Sequence, residues 1–249
     1  MTYAIITVAG VSSRFNENEK EPVLKCLYNL GDKKKTLLYS ILKKTVGCDG
    51  VVVVGGYQYD ALMAYIKEIE GDFSFSIDAV YNPHYEKYGS GYSLKLGLQK
   101  CLEQEDCTEI IFIEGDLYFD QASMQSMMCH KKNYLTINHE AILAKKAVAL
   151  YINEQEEIKY LYDTQHGALE IKEPFVAIYN SGQVWKFAER DCANQVFQGM
   201  DECEWWGTNL VFIEKYFRRI SRESVEILAF KEWTNCNTRS DFLECERYL

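Results

Sequence analysis

The sequence predicts an α/β fold in which a mostly parallel sheet is flanked by helices. Short β-branched runs without polar alternation, Ala4 to Val8, Val51 to Val54 and Ile110 to Ile113, have the character of strands covered on both faces. Between them lie segments with apolar residues at helical spacing, such as Leu37, Leu38, Ile41 and Leu42. A strand, a helix and a parallel strand make one βαβ unit. Each of the three runs ends in small or acidic residues, at the strand ends where open α/β sheets keep their ligands.

In chain order, the first run passes into Ala9-Gly10-Val11-Ser12-Ser13-Arg14. Ala9 and Gly10 leave peptide N–H groups open to an anion, Ser12 and Ser13 add hydroxyls, and Arg14 adds a planar cation. The loop matches neither G-x-x-x-x-G-K-[ST] nor G-x-G-x-x-G, which excludes a Walker A site and the dinucleotide fingerprint. Asn16 to Glu21 is polar and reads as an exposed segment able to close over a ligand, and Lys25 follows it. Lys33-Lys34-Lys35 reads as a solvated loop tip. Thr36 N-caps a first helix running to Val46, and Gly55-Gly56-Tyr57 ends the second strand. A helix over Asp60 to Glu70 and a strand over Ser76 to Tyr81 lead to Asn82-Pro83-His84-Tyr85, then to Gly89-Ser90-Gly91 and a helix from Tyr92 to Cys101.

The run Ile110 to Ile113 delivers Glu114-Gly115-Asp116, which puts the Asp116 carboxylate at the ligand edge where it can hold Mg²⁺. Asp120 is a weaker alternative ligand, and capping a helix over Gln121 to Cys129 explains it as well. Beyond Lys131 the expected elements are strands over Ala147 to Ile152 and Ile158 to Tyr162 joined by an acidic turn, a strand over Phe175 to Tyr179, and a helix over Gly182 to Arg190. All four tryptophans lie in this half, and Asp201-Glu202-Cys203-Glu204-Trp205-Trp206 sets carboxylates beside two of them. An acidic, aromatic pocket would suit a cationic amine, and tryptophans in the core with carboxylates on the surface fit the same residues equally.

A chain of 249 residues with 47% hydrophobic content can bury one substantial core, so one domain over residues 1–249 is expected. Its net charge of −10 and pI near 5.0 exclude a phosphate-backbone partner such as nucleic acid. The nine cysteines are odd in number, scattered and without C-x-x-C, and read as reduced thiols. No run approaches the ~18 apolar residues of a membrane span, and the chain enters a strand at once. A cytoplasmic protein without membrane insertion is expected.

The order Lys25-Cys26-Leu27, Lys35-Thr36-Leu37-Leu38, Val51-Val52-Val53-Val54-Gly55-Gly56-Tyr57, Asn82-Pro83-His84-Tyr85 and Ile111-Phe112-Ile113-Glu114-Gly115-Asp116 resembles the nucleotidyltransferases that make activated phospho-compounds from nucleoside triphosphates. From Asn82 through Gly89-Ser90-Gly91-Tyr92-Ser93-Leu94 the chain looks like the phosphocholine and phosphonate cytidylyltransferases. The resemblance implies a Rossmann-like sheet of the nucleotide-diphospho-sugar transferase type, with a mixed-sheet C-terminal portion. It also implies a nucleotide-binding half over about residues 1–130 and an acceptor-binding half over about 131–249.

By that resemblance Arg14 and Lys25 are catalytic, Val8, Ala9, Gly10, Ser12, Ser13, Asn82, Gly89 and Ser93 bind the nucleotide, and Asp116 and Asn237 hold Mg²⁺. Trp205, Trp206 and Tyr179 would receive the acceptor. The partners it implies are CTP and a small phosphorylated or phosphonate compound: phosphocholine, phosphoethanolamine, an aminoalkylphosphonate or an amino-acid phosphate. His84 is assigned to structure, because the acceptor phosphate is already a nucleophile at neutral pH. Three positions depart from the family pattern. Val8 and Leu24 stand where an alanine and a proline are usual, and Asn237 stands where an aspartate joins the metal, bringing an amide oxygen without charge. A sugar-1-phosphate nucleotidyltransferase using another triphosphate, and a binding module without catalysis, remain open alternatives.

Overall fold

The computed structural model describes every residue except 18, 145 and 163–166. The first half alternates strand and helix: β1 (Thr2–Thr7), α1 (Leu37–Lys44), β2 (Gly50–Gly55), α2 (Tyr59–Ile69), β3 (Ser76–Tyr81), α3 (Ser90–Leu102) and β4 (Glu109–Glu114). Then come β5 (Leu117–Phe119), α4 (Gln121–Cys129), β6 (Asn133–Asn138), β7 (Ala149–Asn153), β8 (Ile158–Leu161) and the long β9 (Phe175–Phe187). The chain closes with α5 (Arg190–Gly199), α6 (Leu210–Arg219), β10 (Val225–Ala229), β11 (Trp233–Asn235) and α7 (Arg239–Cys245).

Nine of the strands form one mixed sheet in the order β10-β6-β9-β4-β1-β2-β3, with β7 and β8 attached along the first part of β9. β4, β1, β2 and β3 are mutually parallel, as are β10 and β6, while β9 runs antiparallel between β6 and β4. The expected α/β class, with a mostly parallel sheet flanked by helices, is the one observed. Its physical basis is the apolar content of both strand faces. Ala4, Ile6, Val51, Val53, Ile111 and Ile113 pack under α1, α2 and α4. Their alternates Ile5, Val52, Val54, Ile110 and Phe112 pack under α3, α5 and α6. Thr36 caps α1 by accepting the Tyr39 N–H at 3.0 Å, and Asp120 caps α4 by accepting the Ser123 N–H at 2.8 Å. No helix among the described residues is long and apolar enough to cross a membrane.

The helix expected over Gly182 to Arg190 is absent, and those residues continue β9 to Phe187. Ser181-Gly182-Gln183 forms a bulge in the pairing with β6, and Gln183 takes a left-handed φ of 55°. Thr136 stitches it, its Oγ1 donating to the Val184 carbonyl at 2.7 Å and accepting from the Val184 N–H at 3.1 Å. Beyond the bulge Trp185 and Phe187 enter one core while Val184 enters the other, so packing overrides the local pattern. Lys186, fully buried beside them, pairs with Glu109 at 3.0 Å and donates to the carbonyl of His130 at 2.6 Å.

Lys186→Met strands the buried Glu109 carboxylate and is expected to lower stability by about 3–5 kcal/mol in urea unfolding; a loss within measurement error would refute the pairing. A second buried cation behaves differently. Lys44 is 6% exposed, lies over the Tyr118 ring and donates to the Ser40 hydroxyl, and burial brings its ammonium down to about 8. An unfolded lysine titrates near ~10.4, so between these values the unfolded chain binds more protons and the Lys44 contribution to stability rises with pH. The stability gap between Lys44→Met and wild type is therefore expected to shift in favour of wild type from about pH 8 to about pH 10, measured by urea unfolding at each pH. A gap that moves the other way would contradict the burial account.

Candidate active site

The site forms where β1 and β4 end side by side. The Gly115 N–H donates to the Thr7 carbonyl at 3.0 Å, and a Cβ on Gly115 would lie 2.3 Å from Val8 Cγ1. Only glycine permits this approach, which brings the loop after β1 against Asp116. A cavity of about 250 Å³ opens there, lined by Val8, Ala9, Gly10, Ser12, Lys25, Asn82, Gly89, Ser93 and Asp116 among others. A second cavity, of about 400 Å³, adjoins it; Gly10, Ser90, Glu114 and Asp116 belong to the walls of both. Its far side is built from Arg14, Lys146, Gln183, Asn209, Asn235 and Asn237.

Two cations reach the junction. Lys25 Nζ pairs with Asp116 Oδ2 at 2.9 Å, both side chains being largely buried, and Arg14 Nη2 donates to Asn237 Oδ1 at 2.8 Å. Asp116 Oδ1 is buried and has no hydrogen-bond partner. The Cys236 N–H donates to the Asp116 carbonyl at 2.8 Å, and this ties the segment carrying Asn235 and Asn237 to the end of β4.

The wall shared with α3 rests on backbone contacts. The Gly89 N–H donates to the Trp206 carbonyl at 2.8 Å and the Gly91 N–H to the Gly207 carbonyl at 3.0 Å. A Cβ on Gly91 would sit 2.9 Å from the carbonyl oxygens of both Gly207 and Trp205. Asn82 donates to the Ser93 hydroxyl at 2.9 Å and accepts the His84 N–H at 2.8 Å. The His84 ring packs against Tyr88 and Tyr92 and lines neither cavity.

The sequence-derived residues are thus gathered, with four exceptions. Ser13 lines neither cavity. Trp205, expected to receive the acceptor, is a core residue, 2% exposed between Phe197 and Phe212. Trp206 is 45% exposed and stacks on Tyr88 outside the second cavity, and Tyr179 packs on the core from β9. The acidic neighbours are committed elsewhere: Glu202 pairs with Lys95 at 3.0 Å, and Glu204 pairs with Lys215. The tryptophans fall there because a short 3-10 turn closed by an Asp201–Glu204 capping box directs Trp205 inward.

Sequence reasoning missed Glu114, Asn209, Asn235 and Gln183. Glu114 carried a signal, since it lies two residues before Asp116 at the end of a strand and side chains two apart share a face. Asn209 Nδ2 donates to Glu114 Oε1 at 2.7 Å. Burial, with the Asp116 charge beside it, pushes the Glu114 carboxyl well above the ordinary carboxylate range, while the Asn209 amide and Lys25 pull the other way. Asn235 Oδ1, like Asp116 Oδ1, is buried without a partner.

Residues 21–249 match the family described as Domain of unknown function (DUF6564). The chain belongs to this family. No curated protein matches it. Solved structures share its fold. One from Bacillus anthracis, assigned as a glucose-1-phosphate thymidylyltransferase, superposes with a TM-score of 0.72 at 13% identity over 100% of this chain and 95% of that one. The inositol-1-phosphate CTP transferase of T. maritima gives 0.68 at 15% identity, covering 97% and 91%. CTP:phosphocholine cytidylyltransferase from Streptococcus pneumoniae gives 0.64 at 17%, covering 99% and 98%. The DUF6564 chain therefore shares the fold of these three solved structures.

Gly91→Ala forces a methyl against fixed carbonyls and is expected to cost about 1–3 kcal/mol, seen as a lowered melting temperature. An unchanged melt would mean that α3 and the 205–208 segment part freely.

Proposed function

We propose that this protein is a Mg²⁺-dependent nucleotidyltransferase that uses CTP, joins CMP to a small phosphorylated or phosphonate acceptor and releases pyrophosphate. The observation that carries the reading is the junction: two cavities meet at Gly10, Ser90, Glu114 and Asp116, with Lys25 and Arg14 reaching it. The first cavity takes the nucleotide, its phosphates lying along the loop from Val8 to Ser12, and the second takes the acceptor. The acceptor's ionised oxygen attacks the α-phosphorus in line, the bond to the pyrophosphate oxygen breaks, and no protein base is needed. Lys25 and Arg14 exchange their present oxygens for those of the phosphates and offset the charge that gathers there. Asp116 and Asn237 supply the hard oxygen ligands that Mg²⁺ prefers, and the unpartnered Asp116 Oδ1 supports that fit. When bound, Mg²⁺ neutralises phosphate charge.

The unpartnered Asn235 Oδ1 favours an acceptor that offers it an N–H or O–H, such as a primary amine or a hydroxyl. That same atom supports a second reading, a sugar-1-phosphate acceptor with a different triphosphate. Pyrophosphate release measured with each nucleoside triphosphate against amine phosphates, phosphonates and sugar phosphates separates the two. Signal with CTP and an amine-bearing acceptor supports the first, signal with a sugar phosphate and another triphosphate supports the second, and silence with every pair leaves a binding module. In the active pair, Asp116→Ala is expected to reduce turnover by about 10²-fold or more, and undiminished turnover would refute the metal role of Asp116.

A further inference from the structure

We propose that Glu114 supplies the second carboxylate of the divalent-cation site, replacing the charge that Asn237 lacks. The inference rests on the metal-dependent reading above. Magnesium sites that act on nucleotides use one or two carboxylates and leave the remaining positions to phosphate oxygens and water. Among the described residues no three His, Cys, Asp or Glu side chains converge, so phosphates must complete any such site here. Asp116 provides one carboxylate, with Oδ1 buried and unpartnered. Asn237 brings a neutral oxygen already accepting from Arg14.

Glu114 is the other carboxylate in the wall common to both cavities. It ends β4 in register with Thr7, so its backbone is held by the same strand pair that holds the phosphate loop. Asn209 fixes one of its oxygens at 2.7 Å, and the Asn209 N–H is itself anchored on the Ser90 hydroxyl at 3.1 Å. The Asn209 side-chain bond falls on Oε1, and the Glu114 carboxylate it orients lines both cavities at the junction. Two carboxylates side by side repel, and a divalent cation between them relieves that repulsion while it accepts their oxygens.

The test is Mn²⁺ binding, followed by electron paramagnetic resonance, to the full chain with α,β-methylene-CTP, a non-hydrolysable analogue. Glu114→Gln keeps an oxygen for Asn209 and removes only the charge. It is expected to weaken Mn²⁺ binding tenfold or more, while analogue binding without metal does not weaken. Should Glu114→Gln not fold, Glu114→Asp, which draws the charge back by one methylene, is expected to weaken binding as well. Wild-type Mn²⁺ affinity in the folded Glu114→Gln protein would overturn the role of Glu114 and leave the functional reading standing. Failure of the wild-type protein to bind Mn²⁺ with the analogue would overturn both.

Discussion

The contact between the ends of β1 and β4 constrains everything at the site. Two parallel strands must end level, and the chain must turn away from each without a side chain between them. Gly115 meets that demand, with its N–H on the Thr7 carbonyl and no space for a Cβ beside Val8. The consequence is chemical as well as steric. A backbone-lined loop suited to anions and a carboxylate suited to a cation come to lie on opposite sides of one narrow space.

Charge is balanced in that space without any ligand. Lys25 lies on Asp116 and Arg14 on Asn237, so each cation already has an oxygen partner. Such a partly buried pair limits the desolvation cost of Lys25 and Asp116, which neither could meet alone. The net charge of −10 gives an approaching anion no general attraction, so local cations such as Lys25 and Arg14 must meet it.

What could be read from the sequence follows from how far each signal travels along the chain. The parallel strands were legible because burial on both faces removes polar alternation, a purely local mark, and the caps at Thr36 and Asp120 were legible for the same reason. The start of β9 over Phe175 to Tyr179 was legible, but its continuation to Phe187 was not, because a bulge at Ser181-Gly182-Gln183 interrupts the strand and only pairing with β6 identifies it. Trp205 looked like a ligand contact since composition does not say which way a ring points, and a capping box turned it inward. Most of the residues expected at the first cavity lie in contiguous loops and do line it, whereas Asn209, Asn235 and Gln183 reach the second cavity from distant segments whose meeting depends on tertiary packing.

The glycine contacts between α3 and residues 205–208 make one wall serve two chambers. Gly89 and Gly91 donate directly to the carbonyls of Trp206 and Gly207, so the start of α3 and the segment leading to Asn209 are tied backbone to backbone. A change of residue that widens either chamber at this seam must displace the other. Variation in what each chamber admits is therefore confined to side chains away from the seam, and a redesign aimed at one specificity would have to be carried by positions such as Gln183, Asn235 and Lys146.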